Sequence, residues 1–276
     1  MDLLRIESLY KSYQQKNVLN GINLKVSPGD RVALLGSNGA GKSTLINICS
    51  GLVGFHQGKV SVLNQRPGAK SVKHKFALLP QVLDFPKNLK VKEVIAATAQ
   101  NSLNTRNTDL IKQFNLERIL ERYCYQLSGG EKRRVALYIT FQRSPTLAFL
   151  DEPTANIDIQ NRDLFYNFIS DYYQDPSRAL IITSHLFDEI ERIANRIVLI
   201  HSGKIVLDGS VKEVVSSFNT KKISYITQGV EKEFYTDDPD NFIRKICKEN
   251  IDFHNLNIQK TSLEDIVFMH WSNKNV

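Results

Sequence analysis

The sequence predicts an α/β protein: a sheet with a parallel core covered by helices on both faces, entered through an antiparallel β region, interrupted by a helical insertion and followed by a small α+β unit. Three observations carry this. Short apolar runs bounded by turn residues alternate with segments of helical period between residues 31 and 200, as buried parallel strands and their crossover helices do. One strand-to-helix junction holds Gly36-Ser37-Asn38-Gly39-Ala40-Gly41-Lys42-Ser43-Thr44, which fits the pattern G-x-x-x-x-G-K-[ST] in the setting that pattern requires. Beyond about residue 220 the texture changes, so the chain reads as two domains, 1–220 and 221–276.

Each element follows from its residues. From residue 3 to about 35, alternating apolar positions (Leu4, Ile6, Val18, Ile22, Leu24, Val26), broken at Asn20-Gly21 and Pro28-Gly29, predict the antiparallel region leading into the strand Arg31–Leu35. Leu45, Ile48, Cys49 and Leu52 recur at i, i+3, i+4 and i+7, which predicts a helix after the loop. Strands are expected at 59–63 and 76–79. Between 86 and 127 the pattern turns helical, with Val91, Val94, Ile95, Ile111, Phe114, Leu116, Ile119 and Leu120 setting the period. Then come a helix at 131–142, a buried strand at 147–150, a helix at 162–173, a strand at 179–183, a helix at 188–194 and two short strands about Ser202-Gly203. In the tail, 222–227, 231–235 and 253–258 read as strands and 239–248 as a helix. Thr261-Ser262-Leu263-Glu264 reads as the capping box of a last helix.

Composition narrows the classes. With 276 residues, 42% of them hydrophobic, the chain can bury a sizeable core. Cys49, Cys124 and Cys247 stand far apart with no C-x-x-C pair, against both a disulfide framework and a zinc site. The net charge of +7 is scattered among acids, with no arginine-rich arm or aromatic-interleaved basic run, so no nucleic acid partner is expected. The first seven residues lack a secretory pattern, and no apolar stretch approaches the roughly 20 residues of a membrane span. Any membrane association is expected to come through a partner.

Three segments carry chemistry. In the loop 36–44, glycines let the backbone approach phosphates, successive N–H groups point at them, and the helix start favours their charge. Lys42 is expected to reach the β- and γ-phosphates of a nucleoside triphosphate, with the Ser43 hydroxyl on Mg²⁺. Leu147-Ala148-Phe149-Leu150-Asp151-Glu152-Pro153 is an apolar strand ending in two carboxylates, where open α/β sheets put their ligands. Asp151 is assigned to the metal and Glu152 to the attacking water. In Leu127-Ser128-Gly129-Gly130-Glu131, Ser128 and Glu131 make an S-x-x-E capping box. The two glycines weaken a helix by up to ~1 kcal/mol each, so they point to a close approach and a second phosphate site.

Taken in order, Gly36 to Thr44, Leu127 to Glu131 and Leu150 to Pro153 resemble the nucleotide-binding subunit of an ABC transporter, over about residues 1–215. The resemblance implies a P-loop NTPase fold of ABC type and an ATPase using ATP and Mg²⁺. Two such domains pack head to tail in that family, so Ser128, Gly129, Gly130 and Glu131 would complete a partner's site. By the same resemblance Gln81 contacts the metal and relays nucleotide state to the helical insertion. His185 contacts the γ-phosphate, Asp158 communicates across the dimer, and Tyr13 stacks on adenine, with Tyr10 as its rival.

The chain departs from the family pattern in three places. Ser37 stands where proline is usual, Asn156-Ile157-Asp158 replaces Gly-Leu-Asp, and Ile159 takes a common proline position. None removes a functional group. The resemblance further implies integral membrane permease subunits docking near Gln81 and 86–125, a second ATPase subunit, and a location on the cytoplasmic face of the inner membrane. The short insertion and the stretch Ser262-Leu263-Glu264-Asp265-Ile266-Val267-Phe268 look like ATPases of bacterial ABC-2-type exporters. An importer ATPase with a regulatory tail, or a soluble ABC-type ATPase outside transport, is the alternative.

Overall fold

The computed structural model describes residues 1–14, 16–99, 108–217 and 220–271, and the chain divides into two compact units, Met1–Asp208 and Gly209–Val276. The division falls ahead of residue 220 because Val211–Ser217 forms a helix (α7) that packs on the last helix of the second unit, α9 (Leu263–Trp271).

The first unit holds two sheets. β1 (Leu4–Tyr13) pairs antiparallel with β2 (Lys16–Val26) and with β4 (Gln57–Val62). Leu4, Ile6, Leu24 and Val26 face inward, which is the alternation a one-sided sheet requires. A six-stranded sheet runs in the order β5 (Phe76–Leu79), β6 (Leu147–Asp151), β7 (Ala179–Thr183), β3 (Arg31–Leu35), β8 (Arg196–His201) and β9 (Lys204–Ser210). From β5 through β8 every pairing is parallel, and β6 and β7 are buried along their whole length, as their unbroken apolar runs demand. The helix α1 (Lys42–Cys49) contributes Leu45, Ile46, Ile48 and Cys49 to a core shared by both sheets. Around this sheet lie α2 (Val91–Thr98), α3 (Thr108–Gln113), α4 (Gly129–Phe141), α5 (Ile159–Tyr172) and α6 (Phe187–Ile193). The expected helical insertion thus holds α2, α3 and two single-turn helices at Glu117–Ile119 and Cys124–Gln126; its residues 100–107 lie outside those described.

Two sequence expectations are corrected. The periodicity through Leu52 overshoots: α1 ends at Cys49, and Leu52 is 68% exposed. Gly51 stops the helix, with φ +76° and backbone so close to Gly68 that a Cβ would lie 2.6 Å away. The last capping box is shifted by one residue. Ser262 N–H donates to Asp265 Oδ2 at 2.9 Å and Asp265 N–H to Ser262 Oγ at 3.1 Å, while Thr261 Oγ1 donates to the Thr220 carbonyl at 2.7 Å.

The second unit carries a three-stranded antiparallel sheet in the order β11 (Val230–Thr236), β10 (Lys221–Thr227), β12 (His254–Lys260). Ile223, Tyr225 and Ile246 of α8 (Pro239–Lys248) form its small core with Phe234, Phe242 and Phe253. Asp238 caps α8, with Pro239 at the position where its missing N–H costs nothing.

Candidate active site

Because β3, β5, β6 and β7 are parallel, their carboxyl ends open on one side of the sheet. The loops that leave them carry Gly36 to Thr44, Gln81, Asp151-Glu152 and His185. A pocket of 310 Å³ is lined there by Tyr13, Asn38, Gly39, Ala40, Gly41, Lys42, Ser43, Thr44, Gln81, Asp151, Glu152 and His185. A larger cavity of 680 Å³ near Cys49, Phe76 and Arg143 touches none of them.

The loop is built around what only glycine permits. Gly41 caps α1 at φ +111°, and a Cβ there would lie 2.7 Å from Leu19 Cδ2 and 2.9 Å from the Val18 carbonyl. With no side-chain cap, the N–H groups of the first turn are left for a ligand. Lys42 Nζ donates to the carbonyls of Gly36 at 2.5 Å and Ser37 at 3.2 Å, so the ammonium is held over the loop. Burial lowers its pKa, against the pull of Glu152 and Asp151.

Opposite the lysine stand the two acids. Thr183 Oγ1 joins them, donating to Asp151 Oδ1 at 2.5 Å and accepting the Glu152 N–H at 3.1 Å. Glu152 has φ +52°, an uncommon backbone for a non-glycine residue, of the kind that collects at functional sites. Burial raises its carboxyl pKa, His185 opposes the rise, and Asp151 adds to it. His185 Nε2 sits 3.2 Å from Glu152 Oε1. Behind them, the buried Arg133 donates to the carbonyls of Pro80 at 2.7 Å and Gln81 at 2.8 Å and so fixes the path of the chain at Gln81. Between the two tyrosines, only Tyr13 lines the pocket. The Tyr10 hydroxyl packs over Gly21, beside a separate hollow.

Ser128, Gly129, Gly130 and Glu131 do not line this pocket. They form the start of α4 with the expected reciprocal cap: Ser128 N–H donates to Glu131 Oε2 at 2.8 Å and Glu131 N–H to Ser128 Oγ at 3.2 Å, while Arg122 donates to Glu131 Oε1 at 2.6 Å. The two glycines differ. A Cβ on Gly130 would lie 2.6 Å from the Asn156 carbonyl, so the close approach there is to the chain's own backbone. A Cβ on Gly129 meets only the Asn156 side chain at 3.5 Å, an ordinary contact.

Asp158 caps α5, accepting the Asn161 N–H at 3.0 Å. Asn156 has φ +62°, the left-handed backbone that glycine and asparagine share, which explains why asparagine can replace the usual glycine. Ile159 is the first residue of α5, the position proline favours, and it is 77% exposed. Sequence reasoning passed over Thr183, Arg133 and Glu189, all buried at this site. A threonine inside an apolar strand run was the one available signal.

A family model described as ABC transporter matches residues 19–155. The lantibiotic transport ATP-binding protein SrtF of Streptococcus pyogenes is 31% identical over 227 residues, covering 80% of this chain and 95% of that one. The chain belongs to the ABC transporter ATP-binding family. The lipopolysaccharide export system ATP-binding protein LptB of Haemophilus influenzae is 29% identical over 81% of this chain and 97% of its own. The sulfate/thiosulfate import ATP-binding protein CysA of Nephroselmis olivacea is 29% identical over 82% of this chain and 69% of its own. A solved structure of an ATP-binding subunit of an ABC transporter superposes with a TM-score of 0.73 at 26% identity, over 79% of this chain and 93% of that chain. This ABC subunit is an ATPase that uses Mg-ATP and couples its hydrolysis to transport. The residues fit that ligand: a glycine loop and lysine suit a triphosphate, and a hydroxyl, an amide and one carboxylate suit an ion that takes most of its remaining ligands from phosphate and water. Among the described residues no helix is long and apolar enough to cross a membrane.

Proposed function

We propose that this ABC subunit is the motor of an exporter and works as a pair of copies that close over two molecules of Mg-ATP. The observation that carries the reading is an incomplete site. Lys42, Ser43, Gln81, Asp151, Glu152 and His185 share one pocket, while Ser128, Gly129 and Gly130 stand outside it at a helix start with an uncrowded glycine. A second copy, turned head to tail, brings those groups to the open side. In this reading the loop 36–44 and Lys42 hold the phosphates, and Ser43, Gln81 and Asp151 hold Mg²⁺. Glu152, oriented by His185, takes the proton of the attacking water, and its raised pKa suits that task. Tyr13 stacks on the base, Glu131 holds the cap that aims Ser128, and Asp158 carries the state of one site to the other.

Separate permease subunits complete the machine, docking near Gln81 and 86–125 on the cytoplasmic face of the inner membrane. Export is favoured by the tail sequence Ser262 to Phe268. An importer is the second reading, favoured by relatives named for import that match at similar identity. Glu152→Gln tests the catalytic assignment: turnover is abolished while ATP-dependent dimerisation persists. Turnover at the parent rate would remove Glu152 from its role.

A further inference from the structure

Glu189 on α6 is fully buried, at 0% exposure, in a helix that solvates its other acids. Burying a carboxyl is expensive unless something uses it. Its Oε2 accepts a hydrogen bond from Ser184 Oγ, and that same oxygen of Ser184 accepts the Leu186 N–H at 3.0 Å. Its Oε1 is buried with no hydrogen-bond partner among the described residues. The groups facing it come from each packed segment. Thr154 and Glu152 approach from the loop after β6, Arg162 and Tyr166 from α5, and Ser184 from the turn after β7.

These partners sit beside the reacting groups. Ser184 directly precedes His185, and Thr154 follows Glu152 by two residues. Both hydroxyls favour the charged carboxylate, while burial, the largest influence, raises the pKa to about 7 and Glu152 adds to the rise. The buried carboxylate is therefore tied to the turn that carries His185, and His185 in turn meets Glu152, which Thr183 holds from the far side of the acids.

We propose that Glu189 is a positioning residue for ATP hydrolysis: through the Ser184 hydroxyl it clamps the turn that carries His185 and keeps His185 Nε2 against Glu152 Oε1. The inference rests on the catalytic reading of Glu152 and His185 given above. Displacing a catalytic group by about 1 Å can cost two orders of magnitude in rate, so a broken clamp should act on turnover and spare binding.

Steady-state hydrolysis of Mg-ATP by the full chain tests this with three variants, Glu189→Ala, Glu189→Gln and Glu152→Gln, each followed from pH 6 to 8.5. An amide keeps an acceptor for Ser184 without titrating. Glu189→Ala is expected to lower kcat about tenfold or more with KM for ATP within about twofold of the parent. Glu189→Gln is expected to recover most of that loss at pH 7.5 and to remove the parent's change in kcat near pH 7. A kcat within about twofold of the parent for Glu189→Ala, or a Gln variant as slow as the Ala variant, overturns the clamp. The Glu152→Gln control separates the two claims: if it too turns over at the parent rate, the catalytic reading has failed; if it is inactive while Glu189→Ala is fast, only the clamp has.

Discussion

Replacing Gly129 and Gly130 by alanine, one at a time, separates what the fold needs from what a partner needs. At Gly130 the new Cβ would stand 2.6 Å from the Asn156 carbonyl, and Asn156 cannot retreat freely because it holds φ +62° and is followed by the buried Ile157. Overpacking of this kind costs about 1–3 kcal/mol, offset by up to ~1 kcal/mol of gained helix propensity. The net loss of about 1–2 kcal/mol lowers the melting midpoint by a few degrees, at roughly 2–4 °C per kcal/mol for a chain of this size. At Gly129 the Cβ meets only the Asn156 side chain at 3.5 Å, so the propensity gain stands alone and the midpoint holds or rises. Yet Gly129→Ala is expected to lose ATP-dependent dimerisation, because that methyl would stand between the α4 start and a partner's nucleotide. Differential scanning calorimetry and light scattering with and without Mg-ATP, in a Glu152→Gln background, read the two effects. Equal midpoints for both variants would refute the packing argument, and undiminished dimerisation by Gly129→Ala would refute the role outside the chain.

Other outcomes follow from single contacts. Asn156→Gly should leave stability within about 1 kcal/mol of the parent, whereas Asn156→Val, β-branched at φ +62°, should cost about 1–3 kcal/mol in chemical denaturation. Thr183→Val removes the hydroxyl that joins Asp151 to the Glu152 N–H, and should cost about 1–3 kcal/mol of stability along with most of the turnover. The Glu189 carboxyl binds its proton more tightly in the fold, at about 7 against 4.5. Its favourable contribution is therefore complete below pH 4.5 and is lost as pH rises through about 7, by about 3 kcal/mol at most. Melting midpoints at pH 5 and pH 8 should differ less for Glu189→Gln than for the parent.

How much of this was legible depended on whether the signal was local. The strand runs 32–35 and 147–150 are apolar throughout because both faces are covered, and the glycine loop can be recognised from spacing alone. Helix ends were less legible. Leu52 continues the apolar period of α1, but a tertiary contact between Gly51 and Gly68 ends the helix first. α5 starts three residues before the expected 162, since Ile159, Gln160 and Asn161 show no period and the Asp158 cap sets the start. Arg133 and Glu189 could not be found at all. A charge among other charges on a helix reads as solvated, and only the packing of α4 against the chain at Gln81 and of α6 against Ser184 shows otherwise.

The central claim is that each ATP site is shared between two copies, and mixing two crippled chains tests it most directly. In a Glu152→Gln background, Lys42→Ala disables one half-site and Ser128→Arg the other, so neither chain alone can build a complete site. A mixed dimer contains one intact pair of halves. Each variant alone should stay at monomer mass with Mg-ATP, and the mixture should yield a species of doubled mass holding one nucleotide per pair. A mixture that stays at monomer mass and retains no nucleotide beyond the separate chains would contradict it.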